Sequence, residues 1–290
     1  MQSSPVTIRE MTQRDIAVGL RLCRLSHWNQ LESDWLSLLS RSPDGCRVAE
    51  KNGEVIGTVA TVRYQDRFSW LAMMLVDPKA RRAGIGTQLL LEGLNILSEH
   101  RCIRLDATPA GRLLYKEHGF EDEYSIYRMT LHGAGGTGDM MQHPRVQSGI
   151  VRKMREEDLP AVFERDREVF GADRSELLKE LFTRSPESAW VIGGTGIQGY
   201  CLSRAGFLYR QLGPIVADDE ARSVQLLSHG LLEVEEPIVI DAPDHSHTWL
   251  QWLRNRGFLQ ERTFVRMHRG ENRYPGVPQS LFGVLGPEFG

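Results

Sequence analysis

The chain writes one pattern twice, and no other feature limits its architecture as much. Ile150-Val151-Arg152-Lys153-Met154 echoes Thr7-Ile8-Arg9-Glu10-Met11, and Leu181-Phe182-Thr183-Arg184-Ser185-Pro186 echoes Leu38-Leu39-Ser40-Arg41-Ser42-Pro43. Farther on, Ile240-Asp241-Ala242 matches Leu105-Asp106-Ala107, Gly257-Phe258 matches Gly119-Phe120, and Arg266-Met267 matches Arg128-Met129. The offsets hold between 135 and 143 residues, so loops change length while the order of elements is kept. At 290 residues the chain has room for two domains of ordinary size. The pattern places them at 1–132 and 149–272, joined by a linker at 133–148 that is rich in Gly and poor in apolar residues. Residues 273–290 form a Pro/Gly-rich tail with little sign of regular structure.

Within the first copy, residues 6–9 alternate as a strand, and Thr12 and Asp15 offer caps for a helix over 16–26. A second helix, 32–39, stops at Arg41-Ser42-Pro43-Asp44-Gly45. Strands at 46–49 and 55–63 flank Lys51-Asn52-Gly53, an Asn-Gly hairpin signal. A strand at 68–76, a helix at 88–97, a strand at 102–106, a helix from Pro109 to His118 stopped by Gly119, and a strand at 123–131 complete the unit. The class is α/β, an α+β arrangement with a mixed sheet.

Between the strand at 68–76 and its following helix lies Asp77-Pro78-Lys79-Ala80-Arg81-Arg82-Ala83-Gly84-Ile85-Gly86-Thr87. Two arginines precede two glycines one residue apart. Glycine lets the backbone take positive φ and approach a ligand closely. A helix start offers free N–H groups and partial positive charge. Together they suit a di-anion such as a pyrophosphate. The second copy acts as an internal control. Aligning Gln225-Leu226-Leu227 with Gln88-Leu89-Leu90 sets Asp218-Asp219 opposite Arg81-Arg82, and Ala221 and Ser223 opposite Gly84 and Gly86. Two carboxylates there repel a pyrophosphate, so one anion site is expected, in the first copy.

Bulk properties narrow the partners. A net charge of −3 argues against nucleic acid. No uncharged apolar run approaches membrane-span length, and the polar first residues lack a signal-peptide core, so a cytoplasmic protein is expected. Four scattered cysteines without a CxxC read as buried free thiols. His245 and His247 lack a nearby third ligand, so no metal is expected. Gly193-Gly194-Thr195-Gly196 is read as a hairpin turn.

Arg81-x-x-Gly84-x-Gly86 between strand and helix resembles the acyl-CoA loop of the GNAT N-acetyltransferases. The element order agrees with that family. Val76-x-Pro78 precedes the loop, and Leu114-Tyr115-x-x-x-Gly119-Phe120 resembles the family's second signature. Residues 5–131 are well covered and the second half only in outline, so the chain resembles bacterial two-domain members with an intact first domain and a diverged second one. The resemblance implies tandem acyl-CoA N-acyltransferase folds and acetyl-CoA as co-substrate. It implies a pantetheine arm along Met74, Leu75 and Val76, and a pyrophosphate held by Arg81, Arg82, Ala83, Gly84, Ile85, Gly86 and Thr87. It implies Tyr115 as the acid that protonates the CoA sulfur; Leu253 holds the matching position in the second copy.

A general base is less marked, because the strand at 68–76 has no carboxylate. Asp106 at the end of the next strand is one candidate and an ordered water another; Asp241 at the matching place favours a structural Asp. Trp28, Asn29 and Asp34, with Trp35, lie where an amine would enter, and the tryptophans read equally as core. Asp166, Asp173 and Arg174 are candidates for a wall between the domains. The expected activity is direct acetyl transfer to a primary amine of a small molecule. The alternatives are an acyl-CoA sensor without turnover, or a longer acyl or aminoacyl donor.

Overall fold

The structure is a computed structural model and describes residues 5–132, 150–193 and 196–290. The expected linker at 133–148, and Gly194 and Thr195 of the expected turn, lie outside the described residues.

The first half runs β1 (Thr7–Glu10), α1 (Ile16–Leu25), α2 (Glu32–Arg41), β2 (Arg47–Lys51), β3 (Glu54–Tyr64), β4 (Phe68–Val76), α3 (Ile85–Ile96), β5 (Cys102–Ala107), α4 (Pro109–Glu117) and β6 (Glu121–Leu131). The second repeats it as β7 (Ile150–Lys153), α5 (Leu159–Phe170), α6 (Ser175–Arg184), β8 (Trp190–Gly193), β9 (Ile197–Arg204), β10 (Arg210–Ala217), α7 (Glu220–Glu233), β11 (Ile238–Pro243), α8 (His247–Asn255) and β12 (Leu259–Gly270). A final strand, β13 (Leu281–Gly283), follows. The hairpin at Asn52-Gly53 has both residues at positive φ (54° and 80°), the geometry that matches strand twist.

All thirteen described strands join one mixed sheet, ordered β1-β2-β3-β4-β5-β12-β6-β11-β10-β9-β8-β7, with β13 on β10. The two halves exchange their last long strands. β12 lies antiparallel between β5 and β6, and β6 lies between β12 and β11. The exchange explains the repeated Asp and Arg. Arg266 sits opposite Asp106 and binds both its oxygens at 2.9 Å. Arg128 sits opposite Asp241 and binds it at 2.8 and 2.7 Å. Each pair is buried and hydrogen-bonded, the condition for carrying charge inside a fold.

Both halves interrupt the sheet in the same place. β4 and β5 run parallel and pair only at Ser69–Ile103 and Trp70–Arg104. On its other side β4 carries an extra residue against β3, between Ala72 and Leu75. Met73 takes φ +50° in that bulge, and Thr58 Oγ1 donates to its carbonyl at 2.7 Å. Beyond the bulge, β4 and β5 part into a wedge. β10 and β11 likewise pair only at Arg210–Ile238 and Gln211–Val239, and β10 has its own bulge between Leu212 and Ile215.

The second wedge is filled by the chain itself. β13 pairs with β10, and Val284 N–H donates to the Asp241 carbonyl on β11 at 2.9 Å. This corrects the reading of the tail. Its apolar run, Leu281-Phe282-Gly283-Val284-Leu285, is buried. The chain then crosses to the first half, where Trp70 Nε1 donates to the Pro287 carbonyl (2.9 Å) and Tyr64 Oη to that of Phe289 (2.7 Å).

Candidate active site

The open wedge of the first half holds a surface groove of about 720 Å³ and, beside it, an inner cavity of about 50 Å³. Trp28, Met74, Thr108 and Tyr115 line both, so the two adjoin.

At the outer end is the start of α3. Gly84 is its N-cap with φ +75°, and the first helical bond to a cap carbonyl runs from Gln88 N–H to Gly84 O at 3.0 Å. The N–H groups ahead of Gln88 thus lie in the unpaired first turn. Arg82 is also left-handed, at φ +61°. The two glycines serve different ends. Gly84 is demanded by its backbone angle. A Cβ on Gly86 meets only Leu114 and Val76 at ordinary contact (3.8 and 3.9 Å), so the fold alone would accept a side chain there. Its absence leaves the backbone open to the groove. Arg81 lines the groove and donates from Nε to the Val76 carbonyl at 3.2 Å. Arg262, on β12, also lines the groove; the exchanged strand brings it there, which reading the first copy alone could not show.

The matching helix start in the second half is closed. Asp219 caps α7 by accepting from Arg222 N–H at 2.9 Å, and Asp218 pairs with Arg165 at 2.8 Å. An internal carboxylate holds the place an external anion would take.

Tyr115, on α4, is buried against Phe120, with its hydroxyl 3.8 Å from Met74 Sδ. Thr108 caps α4, and a side chain on Gly111 would come within 3.0 Å of the Tyr115 ring. Burial raises the Tyr115 phenol above its ordinary value, so it is a proton donor at neutral pH. Leu253 of the second half is buried and offers no proton.

The remaining expected residues separate. Trp28 is half-buried and faces both groove and cavity. Trp35 is core. Asn29 is buried and does not line the cavity. Its amide accepts from Leu208 and Tyr209 N–H (2.8 and 3.1 Å) and donates to the Tyr209 carbonyl (3.0 Å), tying the first half to the β9–β10 turn. Asp34 is buried too, accepts from Leu31 N–H at 2.7 Å, and lies 2.9 Å from Arg204. Asp106 does line the cavity, with both oxygens on Arg266; burial pushes its carboxyl up against the pull of that guanidinium. Asp166 and Arg174 form a buried pair at 2.9 Å with Tyr200 donating to Asp166, and Asp173 accepts from Ser175 N–H at 2.9 Å ahead of α6. None of the three lines the cavity.

Sequence reasoning missed Gln30 and Arg128 of the cavity wall and, in the tail, Glu288. It lines the inner cavity with Pro287 and Gln30, pairs with Arg204, and accepts from Gln30 Nε2 at 3.1 Å. The signal that could have found it is the apolar run at 281–285, which has to be buried and carries the following acid inward.

All four cysteines are free and buried, with burial pushing Cys23 and Cys46 up to about 12 and Cys102 to about 11. Such thiols are protonated and poor nucleophiles. Among the described residues no group of three His, Cys, Asp or Glu side chains could hold a metal ion. No described helix is long and apolar enough to cross a membrane.

A mixed sheet with a splayed parallel pair, a glycine-opened helix start and a phenol at the wedge is the arrangement of an acyltransferase. Acetyltransferase (GNAT) domain models match residues 42–122 and 162–283. The chain belongs to the GNAT family and carries two of its domains in tandem. It is similar to the holothin acyltransferase of Pseudoalteromonas sp. (strain SANK 73390), 26% identical over 234 residues, covering 79% of this chain and 76% of that one. It is equally similar to the uncharacterized N-acetyltransferase YitH of Bacillus subtilis (strain 168), 26% identical over 243 residues, covering 83% and 84%. In fold it resembles a putative acetyltransferase from Pyrococcus horikoshii (TM-score 0.79, 23% identity, 100% and 98% covered). It also resembles a tandem GNAT protein from the clavulanic acid biosynthesis pathway (TM-score 0.62, 14% identity, 92% and 98% covered).

Proposed function

We propose that the chain is an acetyl-CoA-dependent N-acetyltransferase that moves the acetyl group directly onto a primary amine of a small molecule. The observation that carries this reading is the contrast between the two wedges. One is open, leads to an unpaired helix start and holds a phenol; the other is plugged by β13 and capped by Asp219. In this reading the pyrophosphate lies on the N–H groups of residues 84–87, and the pantetheine arm takes the strand-pairing edge of Met74, Leu75 and Val76 that β5 leaves free. The thioester then sits beside Tyr115, which donates its proton to the departing thiolate. Asp106 is a positioning residue that holds Arg266 and the strand exchange. The buried cysteines support direct transfer without an acyl-enzyme.

Calorimetry with acetyl-CoA, followed by thiol release across an amine panel, tests the reading. One site per chain and release with at least one amine is the expected result. Binding without release on any amine favours an acyl-CoA sensor. Absence of binding refutes the proposal.

A further inference from the structure

The inner cavity carries more buried acid than buried base at one point. Arg204 is a single guanidinium between two carboxylates, Asp34 at 2.9 Å and Glu288, and all three side chains are 1% exposed. Arg184, partly exposed, approaches Asp34 at 3.7 Å and Glu180 at 3.2 Å, and Glu180 also has Arg41 at 2.6 Å. The other buried charges nearby are already matched, Arg266 with Asp106 and Arg128 with Asp241. Glu288 therefore shares its one buried cation, Arg204, with Asp34. Burial, helped by Asp34 and opposed by Arg204, pushes its carboxyl above the usual range.

A second observation lies beside it. Gln30 is 3% exposed and lines the cavity. Its amide N–H is used on Glu288, and its Oε1 has no partner. An unpartnered buried acceptor is destabilising and calls for a donor. Gln30 and Glu288, a carboxylate that shares its guanidinium, line a space walled by Trp28, Arg128 and Phe264. The complement is a group with several N–H donors and a positive charge.

We infer that Gln30 and Glu288 form a primary-ammonium subsite at the inner end of the wedge, and that Glu288 receives the acceptor's proton. This rests on the acyl-transfer reading above. R–NH3⁺ gives one proton to the Glu288 carboxylate and becomes R–NH2. The nitrogen lone pair forms the C–N bond, and the C–S bond breaks with its electron pair on sulfur. Tyr115 protonates that thiolate and is restored by the second proton leaving nitrogen. Glu288 releases the first proton to solvent, so R–NH3⁺ and thioester yield amide, thiol and H⁺. The class of acceptor is a primary amine whose cationic end is slender enough for a cavity of about 50 Å³.

The test uses n-butylamine as probe, 1-butanol as its uncharged counterpart, and the full chain as wild type, Glu288→Gln, Glu288→Asp and Gln30→Met. In thermal melts at matched ionic strength, butylamine raises the wild-type midpoint, butanol does not, and both Glu288→Gln and Gln30→Met lose the effect. With acetyl-CoA, Glu288→Gln lowers kcat/KM for butylamine by about 10²-fold or more at neutral pH. Its rate then climbs about tenfold per pH unit toward the free amine's own pKa near ~10, while Glu288→Asp recovers part of the wild-type profile. Asp34 still neutralises Arg204 in these variants, and Gln30→Met decides the matter where Glu288→Gln fails to fold. Equal stabilisation of wild type and variants by butylamine, no stabilisation of wild type, or an unchanged pH profile in Glu288→Gln overturns the subsite. Failure of acetyl-CoA to bind overturns the acyl-transfer reading instead, and the melts still decide the subsite.

Discussion

Neutralising Asp106 separates a structural from a catalytic carboxylate. In wild type, Arg266 Nε and Nη2 each lie 2.9 Å from an Asp106 oxygen, and the two side chains are 2% and 0% exposed. Asp106→Asn leaves a buried guanidinium without its counter-charge, a change that costs about 3–5 kcal/mol. Arg266 keeps the Tyr124 hydroxyl at 2.8 Å and the Trp70 ring at 4.8 Å, so the lower end, about 3 kcal/mol, is expected. Asp241→Asn removes the matching charge from Arg128 and should cost a similar amount. Asp106→Leu combined with Arg266→Met removes both charges and should recover about 3 kcal/mol or more over the single variant, returning stability to the wild-type level or above it. Urea unfolding gives the stabilities, and thiol release on the folded fraction gives turnover. An Asp106→Asn protein that unfolds with wild-type midpoint and slope yet loses turnover by about 10²-fold or more would refute this account and make Asp106 the base.

Three further outcomes follow from the same geometry. Tyr115→Phe deletes a hydroxyl whose polar partner among the described residues is a sulfur 3.8 Å away, so stability should move by less than about 1 kcal/mol while kcat falls about 10²-fold and acetyl-CoA affinity by calorimetry is kept. Gly84→Ala should cost about 1–2 kcal/mol through its φ of +75° with no steric contact, whereas Gly84→Glu should also abolish acetyl-CoA binding; residual stoichiometric binding in Gly84→Glu would sink the one-loop reading. Iodoacetamide at neutral pH should label none of the four buried cysteines in the native protein and leave turnover intact; inactivation on stoichiometric labelling would argue for a thiol intermediate.

Local chemistry made much of the fold legible, and the long-range pairing was not. The Asn52-Gly53 turn and the strand at 68–76 follow from short-range rules, and the structure places both where those rules put them, whereas α3 begins at Ile85, three residues before the expected start, because Gly84 caps it. Strand exchange leaves no periodicity behind. Its trace is the recurrence of one Asp and one Arg in each copy, and alternation cannot tell whether Arg266 meets Asp241 or Asp106. Asn29 and Asp34 were drawn to the site by their chemistry, yet a short polar side chain at a helix start serves as readily to tie loops, and the β9–β10 turn and Arg204 claim them. Glu288 went unseen because Pro and Gly dominate its surroundings, and turn-forming residues hide a buried strand of three residues.

The two wedges also show how a duplicated fold ends with a single site. A splayed strand pair leaves backbone groups without partners, and buried ones have to be met. In the first half that edge opens to a groove. In the second, β13 meets it, with Trp249 Nε1 donating to the Phe282 carbonyl at 2.9 Å and the Phe282 ring packed edge-on to Trp249. The plug is therefore part of the second core, and its removal should destabilise before it liberates. Phe282→Ala should cost about 3–5 kcal/mol. It should not create a second acetyl-CoA site, because Asp219 still caps α7 and Asp218 still stands beside it. The double variant Asp218→Arg/Asp219→Gly, with the plug intact, should likewise bind one equivalent by calorimetry, since β13 still holds the strand edge the pantetheine arm would need. Two equivalents in either protein would mean that cap and plug do not both close the second wedge.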